Sequence, residues 1–283
     1  MTSNAITWVD TVTKLDERHA GAVIVAGSHG GGYAAYCAAR AQVRAAIFND
    51  AGVGKDAEGI HALSYFDALG VPAATTSHLS AHIGDGKDNF ENGVISHVNE
   101  TARALGCRVS QTTRECAGLM LAAPAFTYPV PAKEESRTVI ADAAGRAEVV
   151  VIDSLALLLP RDANSVMVAG SHGAILPMDD RILLAGDALG ALFCDAGFGK
   201  DDIAVSRIKK LDLHGKPGAA VSVHSARIGN GMSVFTEGIL SFVNETAARY
   251  GARVGMTARE YVSLLQDTFA SKTASVPVRA SEP

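Results

Sequence analysis

The chain has 283 residues, 48% of them apolar and 19% charged, with a formal net charge of −5. That length suits one large or two modest lobes, and an acidic balance without any basic run argues against nucleic acid or an anionic membrane surface as the main partner. No apolar run approaches the roughly 20 residues of a membrane-spanning helix, the amino terminus lacks a signal peptide's basic and apolar regions, and the four cysteines have no CxxC spacing, so a cytoplasmic protein with reduced thiols is expected.

Taken from the amino terminus, residues 8–11 read as a short strand, and residues 22–26 as a second, a continuous apolar run of the kind buried on both faces. This run leads into Gly27-Ser28-His29-Gly30-Gly31-Gly32. Residues 33–43 are Ala-rich and read as helix, residues 45–48 as a strand stopping at Asn49-Asp50, and residues 60–69 as a helix halted by Gly70. Residues 72–76 read as the next core strand and end at Ser77. Phe90, Val94, Val98, Thr101 and Leu105 fall on one helical stripe that also carries His97, with Gly106 placed for a left-handed cap. Thr112-Thr113-Arg114-Glu115 has the capping-box pattern that opens a closing helix.

The same series then returns. Val25-Ala26-Gly27-Ser28-His29-Gly30 answers to Val168-Ala169-Gly170-Ser171-His172-Gly173, and Asn49-Asp50-Ala51-Gly52 to Cys194-Asp195-Ala196-Gly197. Ser77-His78 answers to Ser222-Val223, and Val98-Asn99-Glu100-Thr101-Ala102 to Val243-Asn244-Glu245-Thr246-Ala247. From residue 44 to 120 the spacing is constant, with roughly two positions in five identical, which reads as tandem duplication of one supersecondary unit. The expected fold is α/β: two copies of a β-β-α-β-α-β-α unit with a closing helix, mostly parallel sheets covered by helices, and two lobes related by a pseudo-two-fold. Residues 1–122 form the first repeat, 123–146 a linker, 147–270 the second repeat and 271–283 a loose tail.

Each repeated motif follows an apolar strand and precedes a helix, so all of them belong at the carboxyl ends of strands, where α/β sheets form their ligand crevice. In the first motif, the backbone amides of Gly30, Gly31 and Gly32 can hold an anion at a helix start, or the glycines can merely permit a tight turn. The second copy has Ile175, Pro177, Asp179 and Asp180 in that region, which makes the first loop the better seat. Neither the dinucleotide nor the P-loop pattern is met.

Asp50 and Asp195 can act as bases, orient a histidine or bind metal, while Lys55 and Lys200 can pair a substrate carboxylate or serve as bases; the plainer account is a loop tie and a solvated Lys-Asp pair. The third loop offers Ser80, His78, His82 and Asp85 in one copy and His224, Ser225, Arg227 and Asn230 in the other. Arg227 can grip a carboxylate where His82 exchanges protons, so one lobe would bind what the other attacks. Asn49 and Cys194 share a strand end, and Cys194 reads more readily as a buried structural thiol than as a nucleophile.

The leading expectation is an enzyme without a cofactor that hydrolyses an amide or related carbonyl bond of a small anionic or cyclic polar metabolite in a cleft between the repeats. Ser28 or Ser80, His29, His172 and the aspartates would supply nucleophile and base, with Ser171 among the binding groups. A lyase or isomerase using Lys or His beside a carboxylate is the alternative, and a non-catalytic metabolite-binding protein is a third reading. A metal held by His29, His172, His78, His224, Asp50 and Asp195 is considered, although HxH and HExxH spacings are absent. An even-numbered homo-oligomer is expected.

Overall fold

In a computed structural model, residues 5–142, 145–177 and 188–274 are described. Asp179, Asp180 and the tail from residue 275 lie outside them.

The first half of the chain runs β1 (Ile6–Val9), β2 (Val23–His29), α1 (Gly32–Arg40), β3 (Ala45–Asn49), α2 (Ala62–Asp67), β4 (Ala73–Thr76), α3 (Gly86–Asn92), β5 (Ile95–Val98), α4 (Glu100–Ala104) and α5 (Thr113–Met120). The second half contributes β6 (Arg137–Ile140), β7 (Val149–Ile152), β8 (Val166–His172), β9 (Gly190–Cys194), α6 (Ser206–Leu213), β10 (Gly218–Val221), α7 (Gly231–Glu237), β11 (Leu240–Val243), α8 (Glu245–Arg249) and α9 (Ala258–Ala274). They build two sheets, one of five strands in the order β1-β2-β3-β4-β5 and one of six in the order β11-β10-β9-β8-β7-β6. Strands β1 to β4 and β7 to β10 pair in parallel, whereas β5, β6 and β11 run antiparallel to their neighbours.

Because side chains alternate along a strand, the apolar runs of β2 and β3 feed two cores. Ile24, Ala26, Ala46 and Phe48 face α1 and α2, and Val23, Val25, Ala45 and Ile47 face Phe90, Cys116, Ala117 and Met120. In the second sheet, Val166 and Val168 meet Val234 and Tyr261, while Met167, Ala169 and Phe193 meet Ile208 and Leu211. A fifth cluster joins the halves: Ala51 and Ile83 pack with Ala174, Cys194, Ala196, Val223 and Ile228. Among the described residues, no helix is long and apolar enough to cross a membrane.

The stripe from Phe90 to Leu105 is not one helix. It is α3, then β5, then α4, and β5 pairs with β4 so that His97 lies opposite Thr75. Two local causes override the helical period. Gly93 fits where a Cβ would come within 2.3 Å of Asn89 O and 2.5 Å of Thr76 Cγ2, and Asn99 takes an extended conformation and caps a fresh helix through Ala102 N. β11 follows the same course, with Asn244 capping α8. Within residues 123–146, Arg137–Ile140 form β6, which covers the outer edge of β7; among the described residues, β1 has no strand on its outer edge. The capping boxes form, Thr112 with Glu115 and Thr257 with Glu260.

Candidate functional site

The carboxyl ends of β1, β2, β7 and β8 open onto one cavity of about 610 Å³, lined by both halves of the chain. That volume lies within the range of small-molecule sites, roughly 300–1,000 Å³. The lining begins with two carboxylates that follow the short first strands. Asp10 Oδ1 accepts the Gly86 N–H at 3.1 Å and Asp153 Oδ1 the Gly231 N–H at 2.9 Å, each at the first residue of a helix. Asp153 Oδ2 takes the Ser136 N–H, whereas Asp10 Oδ2 has no protein partner among the described residues. Ser28 and Ser171, near the ends of β2 and β8, accept the Val12 and Leu155 N–H groups, each at 3.1 Å, so their hydroxyl protons remain available to a ligand.

His29 and His172 close these two strands and reach across the cavity. An added Cβ on Gly229 would meet His29 Cε1 at 3.0 Å, and one on Gly84 would meet His172 Cε1 at 3.6 Å, so each ring rests on the other half's third loop. The Nδ1 atoms accept the Gly31 N–H at 3.1 Å and the Ala174 N–H at 3.2 Å. A lone pair must meet each of those N–H groups, so the neutral rings carry their protons on Nε2. Burial lowers His29 to about 4, opposed by Glu58, and lowers His172 to about 3, aided by His29 and Arg207. At neutral pH the cavity therefore holds two uncharged imidazole N–H donors, neither with a protein partner at Nε2 among the described residues.

Residues preceding β6 bring in a further acid. Burial, with Asp153 adding repulsion and the Ser154 hydroxyl opposing, raises Glu135 to about 7. Tyr33 rises to about 12 through burial and its nearness to Cys37 and Glu135. Arg207 is buried in the wall and donates to Ala174 O at 3.2 Å.

The glycine amides proposed as an anion seat are already engaged. Gly30 N–H donates to Asn49 O and Gly59 O, Gly31 N–H to His29, and Gly32 N–H to Glu58 Oε1 at 2.9 Å. The helix start does attract a carboxylate, but it is the protein's own Glu58.

The second and third loops form the junction between the halves, and of their residues Gly229 alone lines the cavity among those described. Ala51, Gly52, Val53 and Gly54 all have positive φ, as do Ala196, Gly197, Phe198 and Gly199, and the two turns meet at Gly52 and Gly197. Lys55 N–H donates to Val223 O and Lys200 N–H to His78 O, both at 2.8 Å. Lys55 Nζ bonds Glu237, Lys200 Nζ bonds Asp88, His82 Nε2 meets Asp201 at 2.9 Å, and Arg227 Nε donates to Asp56 at 2.7 Å. Asp50 Oδ1 accepts from Gly52 N, His78 N and His78 Nδ1, the last at 2.7 Å; burial works to raise its pKa, but the His78 contacts win and hold it below the usual range. Asp195 accepts from Gly197 N and from Val223 N, where the other loop has His78.

The remaining candidates are bound locally. Asn49 donates to Ala81 O and Asn89, Asp85 and Asn230 cap α3 and α7, and Ser80 and Ser225 tie their own loops. Cys194 is buried, with its thiol pushed up by burial and by Asp195, and His224 is exposed. The sequence candidates thus separate into a cavity group, Ser28, His29, Gly32, Ser171 and His172, and a junction group. The six residues considered as metal ligands do not surround one point, and among the described residues no group of three or more His, Cys, Asp or Glu side chains could hold a metal ion.

Sequence reasoning passed over Asp10, Asp153, Glu58, Glu135 and Arg207. Trp8-Val9-Asp10-Thr11 aligns with Val151-Ile152-Asp153-Ser154 at the same offset as the serines and histidines, and that alignment carries the aspartates. Glu135 stands in a stretch with no matching partner and gave no signal. The chain matches no protein-family model, no curated protein sequence and no solved structure.

Proposed function

We propose that the cavity is the active site of an enzyme that hydrolyses an amide or related carbonyl bond of a small polar metabolite. The observation that carries this reading is the pair of neutral Nε2–H imidazoles facing one cavity beside a carboxyl poised near pH 7. Of His29 and His172, one donates its Nε2–H to the reacting carbonyl oxygen as it gains negative charge, the role that glycine amides fill in other hydrolytic sites, while the other holds a second acceptor of the substrate. Neutral imidazoles suit this because they do not give up a proton to the oxyanion. Glu135 takes a proton from water as the oxygen–carbon bond forms, then returns it to the leaving nitrogen as the carbon–nitrogen bond breaks. The Ser28 and Ser171 hydroxyls orient the substrate.

We also read the chain as a tandem duplication whose halves are related by a pseudo-two-fold, on the constant offset of 143 between Asp10, Ser28, His29 and Asp153, Ser171, His172 and on the matching positive-φ turns.

Hydrolysis followed by proton NMR over small amides, lactams and cyclic imides tests the proposal. The wild type is expected to turn over at least one class, Glu135→Gln to lose roughly 10²–10⁴-fold in kcat, and His29→Ala or His172→Ala about 10²-fold or more. Absence of turnover across the panel sinks the reading. The same donors would also hold an enolate, which favours proton transfer at carbon as the second reading; deuterium uptake at a substrate C–H without hydrolysis would select it.

A further inference from the structure

The cavity presents its hydrogen-bonding groups in pairs, one member from each half: His29 with His172, Ser28 with Ser171, and Asp10 with Asp153. Both imidazoles are donors at Nε2, and Asp10 Oδ2 is an acceptor without a protein partner among the described residues. A ligand with a single carbonyl satisfies one imidazole and leaves the other facing apolar ligand surface, which is costly. A ligand with two carbonyl oxygens satisfies both.

Charge narrows the choice. The described lining residues include four carboxylate side chains, Asp10, Glu58, Glu135 and Asp153, against two cationic ones, Lys14 and Arg207. A dicarboxylate would bring two more negative charges into a wall already rich in them, whereas a neutral ring brings none. Resting on the hydrolytic reading above, we propose that the substrate is a cyclic imide or the imide edge of a ureide ring, its two carbonyl oxygens held by His29 and His172 and its ring N–H received by Asp10.

The duplication stops at Glu135. This side chain lies beside Asp153 and Ser154, and the segment that carries it joins the halves, so the carbonyl on the Ser154 side has Glu135 as a base next to it, whereas Glu58, the carboxylate near His29, is engaged by the Gly32 N–H. Two carbonyls are bound alike and one is attacked. Water loses a proton to Glu135 as its oxygen bonds that carbon, the ring C–N bond breaks with its electron pair going to nitrogen, and the proton passes from Glu135 to that nitrogen. One imide and one water give one carboxylic acid and one primary amide or urea, with no other reactant.

NMR titration with succinimide, 2-pyrrolidone and succinate, with product analysis on succinimide, tests the proposal in the full-length protein, and each variant is first checked for an unchanged melting transition. Succinimide is expected to bind at least about tenfold tighter than the one-carbonyl lactam or the dianion, as the loss of one satisfied buried donor implies. His29→Ala and His172→Ala should each bring that preference close to one, and His29→Gln, which retains an N–H donor, should restore part of it. Preference for succinimide without ring opening upholds the substrate class and overturns the hydrolytic reading. Hydrolysis of lactams or linear amides with no preference for the imide overturns the substrate class and leaves the hydrolytic reading standing. Equal binding of all three probes, or none, overturns the proposal.

Discussion

The protonation of His29, His172 and Glu135 governs both chemistry and stability. In the fold the two histidines stay neutral down to about 4 and about 3, whereas an unfolded histidine takes up its proton near 6.5. Over that window the unfolded chain binds more protons, so each ring contributes stability that is complete above about pH 6.5 and is lost as the pH falls toward the folded value. Glu135 has the opposite sign. It keeps its proton up to about 7 in the fold against an ordinary 4.5, so it favours the fold below 4.5 and that contribution disappears as the pH rises to 7. Thermal melting of His172→Gln between pH 7 and 4 is therefore expected to fall less steeply than that of the wild type, and equal slopes would contradict the assignment. With a substrate in hand, the rate is expected to rise through pH 7 as Glu135 loses its proton, and Glu135→Gln to remove that limb. The backbone offers a test of another kind: Ala57 is exposed and held at φ +56. Glycine meets no steric penalty there, so Ala57→Gly is expected to raise stability by about 0.5–1 kcal/mol in urea titration, against the usual direction of that substitution.

Among the elements, the turns from Ala51 to Gly54 and from Ala196 to Gly199 depart furthest from regular structure, with two of the four residues in each being non-glycine at positive φ. Such backbone persists only when its surroundings hold it. Here Asp50 bonds the Gly52 N–H, and the Lys55 N–H is fixed to Val223 O in the other half. Gly54 sits at φ +71 with a Cβ position only 2.5 Å from Val223 Cγ2. Gly54→Ala is expected to cost on the order of 2 kcal/mol or more in chemical denaturation, and a loss within a few tenths would mean the turn is less constrained than its contacts imply. Thr112→Ala, which removes a helix cap on an exposed end, should cost about 1 kcal/mol. Residues 90–105 show how far periodicity reaches. The apolar stripe was visible and its one-helix reading was incorrect, because Gly93 ends one helix before β5, the capping Asn99 starts another after it, and a four-residue strand is too short to show its own period.

Across the whole molecule, the halves are joined by exchange: each half's second loop docks on the other's third loop, and each half's imidazole rests on the other's glycine. The ion pairs at this junction are partly exposed, with the Arg227 and Asp56 side chains 38% and 56% accessible, so each is worth little. The apolar cluster beneath them carries more. Ile83→Ala is expected to cost about 2–4 kcal/mol, while Arg227→Ala should cost less than about 1 kcal/mol, both read from urea denaturation. The reverse ranking would place the junction's strength in its charges. Because Gly84 follows Ile83 and supports the His172 ring, Ile83→Ala should also weaken ligand binding at the cavity.

The alternation of strands and helices, the order of the parallel strands' segments and the placement of Ser28, His29, Ser171 and His172 at strand ends were all legible in the amino-acid sequence, since apolar runs, glycine stops and caps act over a few residues. The division of the candidates into a cavity group and a junction group was not. Asp50 and His29 belong to equally conspicuous motifs, yet one carboxylate ties down a turn and one ring faces a hollow, and only the packing of one half against the other separates them. The same holds for Glu135 and for the glycine amides. Their surroundings are assembled from residues up to a hundred or more positions apart, and local sequence pattern carries no record of which distant group will fill a hydrogen bond or exclude the water around a carboxyl.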